Sequence, residues 1–419
     1  MQEPNKSQQC IGNYVIEGLI GEGSYTKIFK ARHITLQCFV ALKVFSKESP
    51  NKAEIMRHFN TEMAILSKLK HPFIIELFEV IENDHCKAMV LEYIEKGTLL
   101  SYINKVHKIK EETSKRIYSQ LISIFTYLHE EMKIVHCDIK LENILIDRHN
   151  NIRLIDFGFA SEFVNSSPQL TQTNGSPSYV APEIIKGYKY NSAVDIWSSG
   201  IILYILLVGK LPFFGDTISS QLNNILVSEP EIPQDISQSA KDLIMKLLIK
   251  DPLERISLFD IKKHRWIMME CNDLQQLVSS CQKYYNKPDK EIFSLLQECG
   301  LPITGLMSKL LGNTSVCKVE QEYYILRRAK ISDLFSAKKY QSIRKTENLK
   351  LETTFTLTDD ISQSRSSRPK KQPFKEANII ISPTKRYASK SHFTPQLPKQ
   401  VLRRYKLNDM RVHQTFEDV

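Results

Sequence analysis

Asp138, Lys140, Asn143 and Asp156 bring two carboxylates, a lysine and an amide into one short stretch of chain. The flanking apolar segments, residues 143–147 and 152–155, predict two short strands joined by a turn at His149-Asn150-Asn151. Such a hairpin carries Asp156 back beside Asp138 and Asn143. Together these groups suit phosphoryl transfer. Asp138 can orient a hydroxyl and accept its proton, Lys140 can offset charge on the moving group, and Asn143 and Asp156 offer hard oxygen ligands to Mg²⁺.

Other elements must position these residues. Residues 14–47 read as strands, with Gly21-Glu22-Gly23-Ser24-Tyr25-Thr26 at a strand–turn–strand. Glycines there let backbone N–H groups approach phosphate oxygens without an intervening side chain, although a plain hairpin turn has the same composition. Val40-Ala41-Leu42-Lys43 follows on a strand. Residues 54–69 predict a helix with Ile55, Phe59, Met63, Leu66 and Leu69 on one face and Glu62 along it; Pro72 marks the turn beyond. Strands are expected at 74–81 and 88–93. A long helix is expected over 111–131, its face formed by Ile117, Leu121, Ile124, Phe125 and Leu128. The segment from Asp195 to Val208 is apolar all round and predicts a helix buried in mid-domain.

The chain has 419 residues and exceeds one ordinary domain. Its apolar runs, such as residues 201–208, are too short to span a bilayer, and the polar start at residues 1–9 shows no secretory signal. Eight cysteines without a C-x-x-C pair suggest reduced thiols in the cytoplasm or nucleus rather than disulfides or zinc. The net charge of +10 is concentrated in residues 331–419, which hold 18 basic against 9 acidic residues. This stretch is rich in Ser, Thr, Lys and Arg with scattered prolines, so residues 335–419 are expected to be a disordered basic tail. No regular aromatic interleaving accompanies the charge, so no specific nucleic-acid binding is expected. Ser382-Pro383 and Thr394-Pro395 resemble proline-directed phosphorylation sites.

The order of these motifs resembles the eukaryotic protein kinases. His136-Cys137-Asp138-Ile139-Lys140-Leu141-Glu142-Asn143 matches the catalytic loop, Asp156-Phe157-Gly158 the metal-binding motif, and Ala181-Pro182-Glu183 the end of the activation segment. Lys140 and Ser176 fit the Ser/Thr rather than the tyrosine class. His71-Pro72-Phe73-Ile74, Asp156-Phe157-Gly158-Phe159-Ala160 and Asp195-Ile196-Trp197-Ser198-Ser199-Gly200 resemble the SNF1/AMP-activated branch of the calcium/calmodulin-dependent kinase group. The resemblance implies an α+β, bilobal kinase fold over residues 14–267, after an N-terminal extension at 1–13. It also implies catalytic roles for Asp138, Lys140 and Asn143, and Mg²⁺, or Mn²⁺ in its place, on Asn143 and Asp156. Its ATP pocket would comprise Ile20, Gly21, Glu22, Gly23, Ser24, Tyr25, Thr26, Ile28, Ala41, Lys43, Glu62, Glu92, Ile94 and Leu145. Within that pocket Glu62 would pair with Lys43, and Leu91 would close the back. Asp195 would hold the catalytic loop from below, Arg255 would pair with Glu183, and Leu77, Leu66, Phe157 and His136 would stack between the lobes.

Four positions depart from the pattern. Thr26 replaces the third glycine of the loop, and Thr98 replaces an acidic residue that touches ribose and a basic substrate side chain. Cys137 replaces the usual Arg, and Gln172 stands at the usual phosphoacceptor position, flanked by Thr171 and Thr173. Residues 288–330 predict three helices, at 292–301, 306–311 and around 323–326, resembling the ubiquitin-associated-like segment of related kinases; a plain helical extension is the alternative. The implied partners are proteins with Ser/Thr acceptors and a regulator of this segment. A pseudokinase scaffold is the competing function. A P-loop NTPase is not, because Gly21–Thr26 lacks the Gly-Lys-Ser/Thr ending and lies between strands.

Overall fold

The computed structural model describes residues 9–22, 26–47, 52–162, 176–310 and 319–335. Gly23, Ser24, Tyr25, Thr171, Gln172, Thr173 and the basic tail lie outside the described residues.

The chain begins with β1 (Cys10–Ile11), β2 (Tyr14–Glu22), β3 (Thr26–His33), β4 (Phe39–Ser46), α1 (Lys52–Leu66), β5 (Leu77–Glu82) and β6 (Cys86–Glu92). These strands form an antiparallel sheet in the order β1-β2-β3-β4-β6-β5. Strand alternation places Lys43 and Phe45 on one face of β4. Phe45 meets Phe59 of α1 edge to face at 4.4 Å, and Lys43 meets Glu62 one helical turn further along. One strand face and one helix stripe thus fix each other twice, first by apolar packing and then by charge. The helix starts two residues before the expected segment and ends at Leu66, where tighter bonds such as Leu69 N–H to the Leu66 carbonyl (3.2 Å) take over. The expected strand at 74–81 begins only at Leu77. Residues before it are drawn to the catalytic hairpin instead: the Ile75 N–H donates to the Leu154 carbonyl at 3.0 Å, and the Leu154 N–H to the Phe73 carbonyl at 2.9 Å.

The helical lobe follows. Its first part is α2 (Leu99–Val106), α3 (Glu111–Phe125) continued by a π-helical turn (Thr126–Glu131), and β7 (Ile134–Val135). After a 3₁₀ turn (Leu141–Asn143), β8 (Ile144–Ile146) and β9 (Ile152–Leu154) build the catalytic hairpin, and β10 (Ser161–Glu162) pairs with β7. Next come a 3₁₀ turn (Pro177–Tyr179), α4 (Pro182–Ile185), α5 (Ala193–Val208), α6 (Ile218–Val227), α7 (Gln238–Leu247), α8 (Leu258–Lys263) and α9 (Met268–Asn286). Helix α5 is the core of this lobe. It is buried from Val194 to Leu207, as its uniform apolarity predicts, and Trp197 stacks on Phe213 at 5.8 Å. Gly200 lets α7 approach: a Cβ there would lie 2.8 Å from that of Leu247. Side-chain caps at Thr98, Thr217, Ser237 and Ser257 satisfy the first N–H groups of α2, α6, α7 and α8.

Helix α9 has no counterpart in the sequence expectations, although Leu274, Leu277, Val278, Cys281 and Tyr284 repeat at helical spacing and are buried. Among the described residues, those from 286 to 335 belong to a second compact unit with α10 (Lys290–Glu298), α11 (Leu306–Leu310) and α12 (Glu320–Leu334). Asp289 caps α10, and its carboxylate accepts from Lys330 of α12 at 2.7 Å; Gly300, at φ +73°, ends the α10 segment. Among the described residues no helix is long and apolar enough to cross a membrane.

Candidate active site

The β8–β9 hairpin forms as its turn residues require. Asp147 accepts from the N–H groups of His149 and Asn151, each at 2.8 Å, and Asn150 adopts φ +60°. Ile144 pairs with Leu154, and the Ile155 N–H donates to the Asn143 carbonyl at 2.9 Å. Asp156 therefore leaves the hairpin beside the start of β8, next to Asn143.

Asp138 is buried and accepts at Oδ2 from Lys140 Nζ (2.7 Å) and Asn143 Nδ2 (2.9 Å). Lys140 also donates to the Ser176 hydroxyl at 3.1 Å, joining the catalytic loop to the activation segment. Burial opposes the Lys140 charge, but Asp138 outweighs it and holds the ammonium above its ordinary value. Across the cleft, Lys43 donates to both oxygens of Glu62, at 2.9 and 2.6 Å, and lies 3.7 Å from Asp156. Burial works against the Lys43 charge as well, and the carboxylates of Glu62 and Asp156 override it. Burial raises the carboxyl of Asp156, but Lys43, Lys140 and His136 together hold it below the usual range, so it is ionised.

Asp195 organises the loop from beneath. Its Oδ2 accepts from the His136 N–H (2.9 Å) and its Oδ1 from the Cys137 N–H (3.0 Å), while His129 Nε2 lies 2.9 Å from Oδ2. The rings of His136 and Phe157 meet at 4.8 Å; both side chains and Leu66 are buried, and Leu77 is half-buried. Arg255 clamps Glu183 with two hydrogen bonds of 2.8 and 2.9 Å. Two non-glycine residues of the loop, Cys137 and Asp156, have φ near +65° (65° and 64°), a sparsely populated conformation that surrounding contacts must hold. The Cys137 side chain is buried. Burial, then the charge of Asp195, pushes its thiol well up, so it is neutral and unreactive.

A protein kinase domain model matches residues 14–267. The chain belongs to the protein kinase family. It is 38% identical over 262 residues to the SNF1-related protein kinase catalytic subunit alpha KIN12 of Arabidopsis thaliana, covering 62% of this chain and 53% of that protein. It is 37% identical over 284 residues to the carbon catabolite-derepressing protein kinase of Candida glabrata, covering 66% of this chain and 45% of that protein. The chain thus spans about half the length of these curated relatives.

The other residues expected to line the nucleotide pocket are placed as follows. On the glycine-loop strands Gly21 pairs with Ile28 and Glu22 with Lys27, with register shifts behind them, and Ile20 is half exposed. Thr26 opens β3 opposite Phe45. Ala41 lies opposite Leu91 on neighbouring strands; Glu92 and Ile94 follow in the connection to the helical lobe, and Leu145 lies on β8. Thr98 has a structural duty, accepting from the Ser101 N–H at 3.1 Å as the cap of α2.

The family implies ATP and a divalent metal, typically Mg²⁺. The donor set fits such an ion. Both side-chain hydrogen bonds of Asn143 use Nδ2, to the Asp138 carbonyl and carboxylate, which leaves Oδ1 as an acceptor next to the ionised Asp156. Among the described residues no cluster of three or more His, Cys, Asp or Glu could hold a metal alone. Mg²⁺ is commonly held by one or two protein oxygens, with phosphates and water completing its shell.

Proposed function

We propose that this chain is a protein Ser/Thr kinase that transfers the γ-phosphoryl group of Mg-ATP to Ser or Thr hydroxyls of protein substrates. The observation that carries this reading is the pair of formed contacts on the two sides of the cleft: Lys43 on Glu62, and Lys140 bridging Asp138 and Ser176. Lys43, fixed by Glu62, would hold the α- and β-phosphates. Asp138 would accept the proton of the attacking hydroxyl as its oxygen bonds to the γ-phosphorus and the bond to the ADP oxygen breaks. Lys140 would offset charge on the phosphoryl group, and Ser176 would shape the approach of a Ser or Thr side chain. Asn143 Oδ1 and Asp156 would hold Mg²⁺, which neutralises charge on the phosphates when bound. The backbone of Glu92 and Ile94 would receive the adenine edge, between Ala41 above and Leu145 below.

A pseudokinase scaffold would need a broken ion pair or a missing carboxylate, and these residues carry neither. Cys86, Cys137, Cys271 and Cys299 are free thiols, which supports a reducing compartment, the cytoplasm or the nucleus. The helical unit at 288–330 is the candidate docking segment for a regulator. Transfer of labelled phosphate from ATP to a Ser/Thr peptide library by the purified chain tests the proposal. Transfer that Asp138→Asn abolishes is expected, whereas an inactive wild type that still binds nucleotide would favour the scaffold.

A further inference from the structure

Arg153 belongs to none of the motifs above, yet it is among the largest fully buried side chains in the protein. Burying a guanidinium is costly, and an apolar side chain of similar size would pack there without that cost. A buried charge kept in such a place defines geometry more than it adds stability. The contacts of Arg153 are directional. Its Nε donates to Glu92 Oε1 at 3.0 Å, and its Nη1 donates to the Ile152 carbonyl at 2.9 Å and lies 3.9 Å from Asp147 Oδ2.

The two ends of this contact matter. Glu92 is the last residue of β6 and begins the connection between the lobes; its own N–H is held by the Glu76 carbonyl at 3.0 Å. Arg153 lies on β9 opposite Leu145, and the same strand leads directly to Asp156. Behind it, Asp147 is fixed by Asn151, and Asn151 by Gln120 of α3 at 3.2 Å. A polar chain therefore runs from the helical core through the catalytic hairpin to the connection, and Arg153 is the link that reaches across.

We propose that Arg153 is a positioning residue for the nucleotide: by holding Glu92 it sets the adenine-binding connection in register with the β8–β9 hairpin that presents Leu145 and Asp156. The inference rests on the kinase reading above, because adenine is what the connection receives. Arg153 contacts Glu92, Ile152 and Asp147 and not Lys43, Asn143 or Asp156, so its loss is expected at the adenine end.

The test compares Arg153→Met and Arg153→Lys with the wild type. It measures equilibrium binding of adenosine, which carries no phosphate and needs no metal, alongside KM for ATP, KM for peptide and kcat. In Arg153→Met the adenosine Kd and the KM for ATP should both rise about tenfold, the size of one lost charge-assisted hydrogen bond. Peptide KM and kcat should stay within about twofold, and Arg153→Lys should recover part of the loss, because an ammonium keeps the charge but not the fork that also reaches the Ile152 carbonyl. Adenosine affinity unchanged in Arg153→Met, or kcat and peptide KM falling in parallel with it, overturns the proposal. Should Arg153→Met not fold, Glu92→Gln decides, since it keeps the shape and an acceptor but removes the charge. Weaker adenosine binding supports the proposal and unchanged binding overturns it. A wild type that binds adenosine but transfers no phosphate would sink the kinase reading and leave this inference standing.

Discussion

The two faces of the catalytic loop are built differently. On the face toward the cleft every carboxylate has a cation: Asp138 meets Lys140, Asp156 meets Lys43, and Glu62 meets Lys43. On the face toward the activation segment the residue before Asp138 is Cys137, a buried neutral thiol beside the carboxylate of Asp195. An Arg at this position is repelled from the active arrangement until an activation-segment phosphate neutralises it through charge-assisted hydrogen bonds. Cys137 brings no such charge, and the carboxylates near it would repel a phosphate. The loop thus keeps the groups proposed to act in transfer and lacks the usual receiver for a phosphate switch.

The largest expected effects lie on the first face. Asp138→Asn removes the proton acceptor and should lower kcat roughly 10²–10⁴-fold, the range for general-base catalysis. Lys43→Met should abolish transfer similarly while far-UV circular dichroism stays unchanged. Activity near wild type in either, in a preparation free of other kinases, would remove that residue from the mechanism. Asp156→Ala should lose Mg²⁺-dependent turnover more severely than Asn143→Ala, because one brings a full charge and the other a neutral carbonyl. Identical Mg²⁺ titration curves for the two would contradict this ligand assignment.

Next in size is a loss of stability. Arg255→Ala leaves Glu183 buried without its partner and should cost roughly 3–5 kcal/mol in urea denaturation. The acid side should report Asp195. Its burial raises the carboxyl, but His129 and other hydrogen bonds outweigh this and hold it below its ordinary value. Its stabilisation is therefore complete above the ordinary Asp pKa and is lost as pH falls through the lower folded value. Asp195→Asn should flatten the pH dependence of stability in that acid window, and an unaltered slope would count against the bonding seen beneath the loop.

A smaller effect is expected at Glu142, which is exposed on the catalytic loop. Thr98 is engaged as a helix cap and supplies no second carboxylate. Glu142 should favour a basic residue upstream of the target hydroxyl by roughly two- to fivefold, the size of an exposed ion pair. The preference should vanish in Glu142→Gln, and a peptide library indifferent to upstream Arg would refute it.

Much of this arrangement was legible in the sequence because kinase motifs fix residue type and spacing together. Lys43, Glu62, Asp138, Asn143 and Asp156 could be named from spacing, and the structure brings them to one cleft; the Glu183–Arg255 clamp and the bonds of Asp195 were legible for the same reason. Other features depend on tertiary contacts that spacing does not encode. The φ of +65° at Cys137 is imposed by Asp195, far away in sequence. Arg153 is unremarkable on a strand until Glu92 lies beside it. Thr98 looked like a lost acidic contact, whereas its hydroxyl caps α2. The late start of β5 reflects competition by the catalytic hairpin for the backbone of residues 73–75. Helix α9 was legible in principle, since its apolar residues recur at helical spacing, but no motif drew attention to it.

The contrast between the two faces rests most directly on whether transfer needs a phosphate on the activation segment. The decisive measurement is kcat of the phosphatase-stripped wild type beside a Thr171→Ala/Thr173→Ala double variant, with Asp138→Asn as the blank. Full activity in both is predicted, because Cys137 leaves no buried charge for a phosphate to neutralise. Loss of most activity in both would show that the segment is phosphate-controlled through other basic partners, and would contradict the account.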